Sequence, residues 1–153
     1  MTDWADRTHW IFDMDGTLTV PAHDFAGFKY AHDIPLEQDL LAAVAEREGD
    51  DKRALLQSID AWERRLARSA EAQPDAVTLL DGLHARGARL AVLTRNTRDN
   101  ALLTLKAAGL DRFFPDDQLV MGRDCATAKP DPAGIHELNR RWDAASHQVV
   151  MVG

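Results

Sequence analysis

His9-Trp10-Ile11-Phe12-Asp13-Met14-Asp15-Gly16-Thr17-Leu18 decides how this chain is read. Residues 9–13 form a short apolar run that stops at an acid, the pattern of a buried strand ending where polar chemistry begins. A carboxylate at such an end is a competent nucleophile toward phosphorus if a cation offsets the charge repulsion. A second carboxylate two residues on, Asp15, can donate a proton to a leaving oxygen and then take one from water. Gly16 permits the sharp bend that brings backbone amides close to a ligand. The same letters also fit a plain acidic turn after a strand. A calcium loop of the paired-helix type starts similarly, but its spaced downstream ligands and closing Glu are missing here.

Outward from this stretch the strand pattern recurs. Residues 89–94 end in Thr94-Arg95-Asn96, residues 118–121 are closed by Gly122, and residues 147–152 carry Val149-Val150-Met151-Val152. Helical spacing lies between them. Residues 75–86 carry Val77, Leu80 and Leu83, with Asp75 at the start and Gly87 as a stop; residues 97–108 carry Leu102 and Leu105 before Gly109. Residues 132–142 carry Ile135, Leu138 and Trp142 after Asp131-Pro132, where Asp can cap and Pro is tolerated in the first turn. Strands alternating with helices predict an α/β fold: a Rossmann-like, mostly parallel sheet with helices on both faces. Ligands of such sheets bind beyond the carboxyl ends of the strands, which is where Asp13-Met14-Asp15 and Thr94-Arg95-Asn96 both fall.

Residues 20–73 break the rhythm. Residues 36–48 place Leu36, Leu40, Leu41 and Val44 on one helical face, and residues 52–72 do the same for Leu55, Ile59, Trp62 and Leu66, with Gly49-Asp50-Asp51 as the turn between. The expected organisation is a core of 1–19 and 74–153 interrupted by a small all-helical unit over 20–73, rejoined through Gln73-Pro74. Trp62 and Trp142 fall on apolar helix faces and are expected in the core.

Hydrophobic residues make up 45% and charged residues 28% of 153 residues, enough apolar material for a globular core. No apolar run approaches the roughly 18–20 residues that span a bilayer. The start, Met1-Thr2-Asp3-Trp4-Ala5-Asp6, lacks the basic and apolar segments of a secretory signal. A single cysteine, Cys125, excludes an internal disulfide framework and fits a reducing cytoplasm; it is expected in packing or a loop. A net charge of −7 makes nonspecific nucleic-acid binding a poor default, and no membrane partner is expected. The oligomeric state stays open.

Two further residues complete the chemical pattern. Thr94 can hydrogen-bond a phosphate oxygen at a neighbouring strand end, with amides of the following helix start as additional donors, although capping by Asn96 or Thr97 explains the same letters. In Ala128-Lys129-Pro130-Asp131-Pro132, proline stiffens the segment and gives Lys129 a defined direction, so its ammonium can hold a carboxylate and a phosphate together.

Phe12–Leu18, Leu93–Asn96, Lys129–Pro132 and Val149–Gly153, in this order, resemble the haloacid dehalogenase superfamily, on its phosphatase branch. The resemblance implies that Asp13 becomes phosphorylated and that Asp15 is the general acid and base. It further implies that Thr94, with Arg95 and Asn96, binds the phosphoryl group, that Lys129 orients Asp13, and that Mg²⁺ contacts the Asp13 side chain and the Asp15 backbone carbonyl. Asp15 distinguishes phosphotransferring members from dehalogenating ones. Residues 20–73 would be the family's small helical cap, which closes over the site and helps select substrate. Residues 20–33 include His23, Phe25, Phe28, Lys29, Tyr30 and His32 near the pocket mouth; His23, Phe28 and Lys29 are the substrate-contact candidates. His23-Asp24 and His32-Asp33 are weak candidates for a second metal.

The family's fourth motif places one or two acidic metal ligands just after the fourth strand, where this sequence reads Met151-Val152-Gly153. The core is thus expected to stop short at its C-terminal end as a portion of a longer enzyme, because a buried parallel strand is normally followed by covering elements. Otherwise Asp124 or Asp131 would lend the missing carboxylate. The expected activity is a magnesium-dependent phosphomonoester hydrolase acting on a small phosphorylated metabolite. The alternatives are a phosphomutase or phosphotransferase, and a non-catalytic binding protein on the same fold.

Overall fold

The structure, a computed structural model, describes residues 4–153. The acidic start Met1-Thr2-Asp3, part of the reading against a secretory signal, lies outside the described residues. Among the described residues no helix is long and apolar enough to cross a membrane.

Four strands, β1 (His9–Phe12), β2 (Arg89–Leu93), β3 (Val120–Met121) and β4 (Val149–Val152), form one sheet in the order β3-β2-β1-β4. Every pairing is parallel, so all four carboxyl ends share one edge. Side chains alternate across the sheet, and both faces are apolar. Trp10, Phe12, Leu90 and Val92 face a cluster with Leu80, Leu83, Ala101 and Leu105. Ile11, Ala91 and Leu93 face Leu138 and Trp142 on the other side. The first cluster is covered by α4 (Pro74–Ala85) and α5 (Arg98–Ala107), the second by α6 (Ala133–Trp142). A strand buried on both faces reads as a continuous apolar run, which is why β1 and β2 stood out in the sequence.

Between β1 and α4 lie α1 (Phe25–Ala31), α2 (Leu40–Ala45) and α3 (Gly49–Ala67). They carry a hydrophobic cluster of their own, Ile34, Ala43, Val44, Leu55 and Ile59. No described strand falls there, although isolated bridges tie Thr19 to Asp15 and to Ala72.

Several boundaries differ from expectation for identifiable reasons. The predicted helix over 36–48 starts only at Leu40, because the Asp39 side chain caps it by accepting from Leu41 N at 2.9 Å and Ala42 N at 3.2 Å. Leu36 is left 65% exposed in a turn, off the apolar face assigned to it. Gly49-Asp50-Asp51 is the first turn of α3 instead of the connection, which is Glu46–Glu48; the two acids there suit the positive end of the helix dipole. β3 is two residues long, preceded by a 3₁₀ turn at Asp117–Leu119, and a second such turn, Ser146–Gln148, delays β4 to Val149. Asp131 accepts from Ala133 N at 2.8 Å at the head of α6, but Pro132 takes the cap position itself and the helix starts one residue later than expected.

Candidate functional site

Asp13 follows β1 directly, and its amide extends the ladder to Val152 O at 2.8 Å. Met14 is fully buried in the core, so Asp13 and Asp15 are left on either side of it at the sheet edge. The turn is wound around one carbonyl: Met14 O accepts from Thr17, Leu18 and Thr19 amides at 3.1, 2.9 and 3.2 Å. Gly16, at φ +81°, supplies the left-handed residue that this winding needs.

The Lys129 ammonium reaches Asp13 from the far end of the sequence, Nζ to Oδ1 at 2.8 Å. The same Oδ1 accepts from Met14 N at 2.8 Å. Among the described residues Oδ2 therefore has no hydrogen-bonding partner, and it is the oxygen available to a ligand. At the end of β2, Thr94 N donates to Met121 O at 2.9 Å, and Thr94 Oγ1 accepts from Asn96 N at 3.1 Å. A hydroxyl oxygen already accepting from an amide has its own proton free to donate onward. The cap of α5 falls to Thr97, whose Oγ1 accepts from Asn100 N at 3.4 Å, while Asn96 Oδ1 accepts from Thr97 N at 2.9 Å.

These groups meet. Asp13, Asp15, Thr94, Arg95, Asn96 and Lys129 line one cavity of about 360 Å³, together with His23 and Lys29. That volume is at the small end of ligand sites and suits a small molecule. Phe28 is not among the lining residues: its ring stacks on Trp62 at 4.4 Å and lies tilted against His32 at 4.3 Å, and Phe25 lines the cavity instead. Tyr30 is 86% exposed and does not line the cavity either. Trp62 is buried as expected, but it packs against Phe28, Phe25 and His23, the last edge-on at 5.1 Å.

Burial pushes the Asp15 carboxyl above the ordinary carboxylate range; Asp13 adds to the rise, while His23 and Lys129 oppose it. The carboxylates that might have replaced the expected fourth motif are engaged elsewhere. Asp124 accepts from Arg98 N at 2.9 Å and Asp131 from Ala133 N at 2.8 Å, and neither lines the cavity. Of the weak second-metal candidates, Asp24 caps α1 by accepting from Gly27 N at 2.9 Å, and His32 lies against Phe28. Among the described residues no three His, Cys, Asp or Glu side chains converge as a metal cluster.

Three lining residues had not been singled out in the sequence: Asp39, Glu63 and Arg123. Asp39 pairs with Arg95 at 2.7 Å across a half-exposed gap. Glu63 of α3 pairs with Arg123 at 2.8 Å, both side chains only 12% exposed. An exposed pair of the first kind contributes at most about 1 kcal/mol, whereas removing one partner of a buried pair typically costs about 3–5 kcal/mol. Burial pushes the Glu63 carboxyl upward even with Arg123 beside it.

The segment behind Thr94–Arg98 is also built for close contact. A Cβ on Gly122 would lie 2.4 Å from Arg98 N and 2.6 Å from Asn96 O, both backbone atoms that cannot swing aside. Gly122→Ala is expected to destabilise the protein by roughly 1–3 kcal/mol, read as a lower denaturant midpoint; an unchanged midpoint would show that the two segments are not held this tightly.

Fold and cavity together define an α/β protein with a site of mixed carboxylates and cations at the carboxyl edge of a parallel sheet. The haloacid dehalogenase-like hydrolase family matches residues 9–153, and the chain belongs to that family. Phosphoglycolate phosphatase of Rhodospirillum rubrum is 31% identical over 94% of this chain and 70% of its own length. A haloacid dehalogenase-like hydrolase domain-containing protein of Arabidopsis thaliana is 26% identical over 94% of this chain, which spans 61% of that relative. Among solved structures, a predicted phosphoglycolate phosphatase from Haemophilus somnus superposes with a TM-score of 0.73 at 21% identity, covering 97% of this chain and 77% of that one.

Proposed function

We propose that the chain carries the site of a magnesium-dependent phosphomonoester hydrolase acting on a small phosphorylated metabolite through a phospho-aspartate on Asp13. The observation that carries this reading is the meeting of Asp13, Asp15, Thr94 and Lys129 around one small cavity, from three separate stretches of sequence. In this reading residues 20–73 act as a cap on a core of 1–19 and 74–153.

Lys129 and the Met14 amide hold Oδ1, so Oδ2 attacks phosphorus in line with the leaving oxygen. Asp15, whose carboxyl burial pushes above the ordinary carboxylate range, gives its proton to that oxygen as the P–O bond breaks. The product alcohol leaves, and Asp15, now a carboxylate, takes a proton from the water that attacks the phospho-aspartate. Asp13 is released and inorganic phosphate departs. Thr94 and the Arg95 amide hold the phosphoryl oxygens throughout, and Lys129 balances their charge.

The donors suit magnesium, which takes hard oxygen ligands, often one or two carboxylates, and keeps several waters. The Asp13 carboxylate and the Asp15 carbonyl would hold it, and its positive charge would offset repulsion between the carboxylate and the phosphate.

The test is release of inorganic phosphate from a panel of phosphorylated metabolites in magnesium, with and without a chelator. Metal-dependent release supports the proposal. Transfer to a second hydroxyl without free phosphate would instead identify a mutase or phosphotransferase, and tight ligand binding without turnover a binding protein.

A further inference from the structure

We propose that Arg123 is the positioning residue of the Thr94–Arg98 turn and that Glu63 of α3 holds it in place, so that phosphoryl binding depends on how the helical segment is seated. This rests on reading that turn as the phosphate-binding element. The turn is braced from behind by residues 121–124: Met121 O accepts from Thr94 N, Asn96 O accepts from Arg123 N, and Asp124 accepts from Arg98 N, each at 2.9 Å. One further bond is of a different kind. Arg123 Nη1 donates to Arg95 O at 2.9 Å, and the same nitrogen donates to both Glu63 oxygens, at 2.8 and 3.1 Å.

A single guanidinium nitrogen is thus shared between a carboxylate on α3 and the carbonyl at the centre of the turn. Nη1 has two protons, so one serves Arg95 O while the other is divided over the carboxylate. If α3 moves away, Arg123 loses the charge that fixes its direction and the Arg95 carbonyl loses its donor. The Arg95 carbonyl shares its peptide with Asn96 N, which donates to Thr94 Oγ1 at 3.1 Å, so a turn of that peptide also releases the hydroxyl assigned to the phosphoryl group. The pair is sheltered from water, so salt screens it weakly, unlike the half-exposed Arg95–Asp39 pair. The α3 side also reaches α5 through Asn100 Nδ2 donating to Asp60 at 3.1 Å, which leaves Glu63 as the contact that ends on the turn itself.

The experiment compares the parent chain with Glu63→Gln, Arg123→Met, the double variant and Thr94→Val, all in magnesium chloride. Amide hydrogen exchange over residues 95–98 and calorimetric titration with inorganic phosphate are read beside the melting temperature. Glu63→Gln keeps the shape of the side chain and stays informative if Arg123→Met fails to fold. Expected are faster exchange at 95–98 in both single variants and phosphate affinity reduced about tenfold (about 1.4 kcal/mol). The double variant should bind no more weakly than Arg123→Met, because the two residues act as one unit. A merely structural pair would lower the melting temperature and leave exchange at 95–98 and phosphate affinity unchanged, which overturns the inference, as do losses that multiply in the double variant. Thr94→Val separates the two claims. If it leaves phosphate affinity intact, the reading of the turn fails; if it weakens phosphate while Glu63→Gln and Arg123→Met do not, this inference alone fails.

Discussion

Asp13→Asn is expected to lower phosphate release by about 10⁴-fold or more, equivalent to some 5.5 kcal/mol of lost transition-state stabilisation, with little change in melting temperature. The amide has the same shape, and the Met14 amide can still donate to its oxygen. It lacks the charge that makes Oδ2 a nucleophile, and it leaves Lys129 without its anion. Lys129 and Asp13 are both partly exposed, so water can compensate the ammonium and the fold should survive. Turnover by Asp13→Asn within tenfold of the parent, on any phosphate ester the parent hydrolyses, would remove Asp13 from the chemistry. Substitution of a distant surface acid such as Asp50, which the chemistry does not involve, is the appropriate control.

Asp15→Asn carries the second large effect, a loss of about 10²–10⁴-fold, the usual size of a general acid–base contribution. Read as kcat/KM, which reports the phosphorylation step and not the later hydrolysis common to all esters, the loss should be largest for alkyl phosphates, whose leaving oxygen needs the proton, and much smaller for aryl phosphates, whose phenolate leaves without help. Equal losses on both would contradict proton donation by Asp15. The stability effect has a definite sign. Burial raises the Asp15 carboxyl, so the folded chain binds that proton more tightly than the unfolded chain does. The resulting stabilisation is fully present below the ordinary carboxylate pKa of about 3.9 and is lost as pH rises through the raised folded value. In metal-free buffer Asp15→Asn should therefore gain melting temperature relative to the parent as pH rises from about 4 to about 7. A gap between the two proteins that stays flat or narrows over that range would show that burial is not straining the Asp15 charge.

What the sequence made legible follows from where chemistry sits on a parallel sheet. β1 and β2 are buried on both faces and end in polar residues, so their edges, with Asp13, Asp15 and Thr94, could be placed without coordinates. Lys129 was legible through the prolines around it. The 25–31 helix was not: it is seven residues long, contains Gly27 and has no buried side chain, so it shows no apolar stripe. Leu36 was misplaced because its spacing to Leu40 and Val44 imitates a helix that Asp39 actually starts later. Glu63 looked like one more solvent-facing acid on α3, since helical spacing identifies the apolar stripe but not what covers the polar flank. Arg123 did carry a usable signal. It lies two residues past β3 on the edge that already holds Asp13 and Thr94, and the rule that placed those residues would have placed it too.

Trapping the covalent species tests the central claim most directly. The chain is quenched in acid during turnover of a phosphate ester, reduced with borohydride and mapped by peptide mass. An aspartyl phosphate at position 13 is reduced to homoserine there, and the account predicts that change at Asp13 and at no other acid. Steady phosphate release with Asp13 unmodified, or with the modification on another residue, would contradict it.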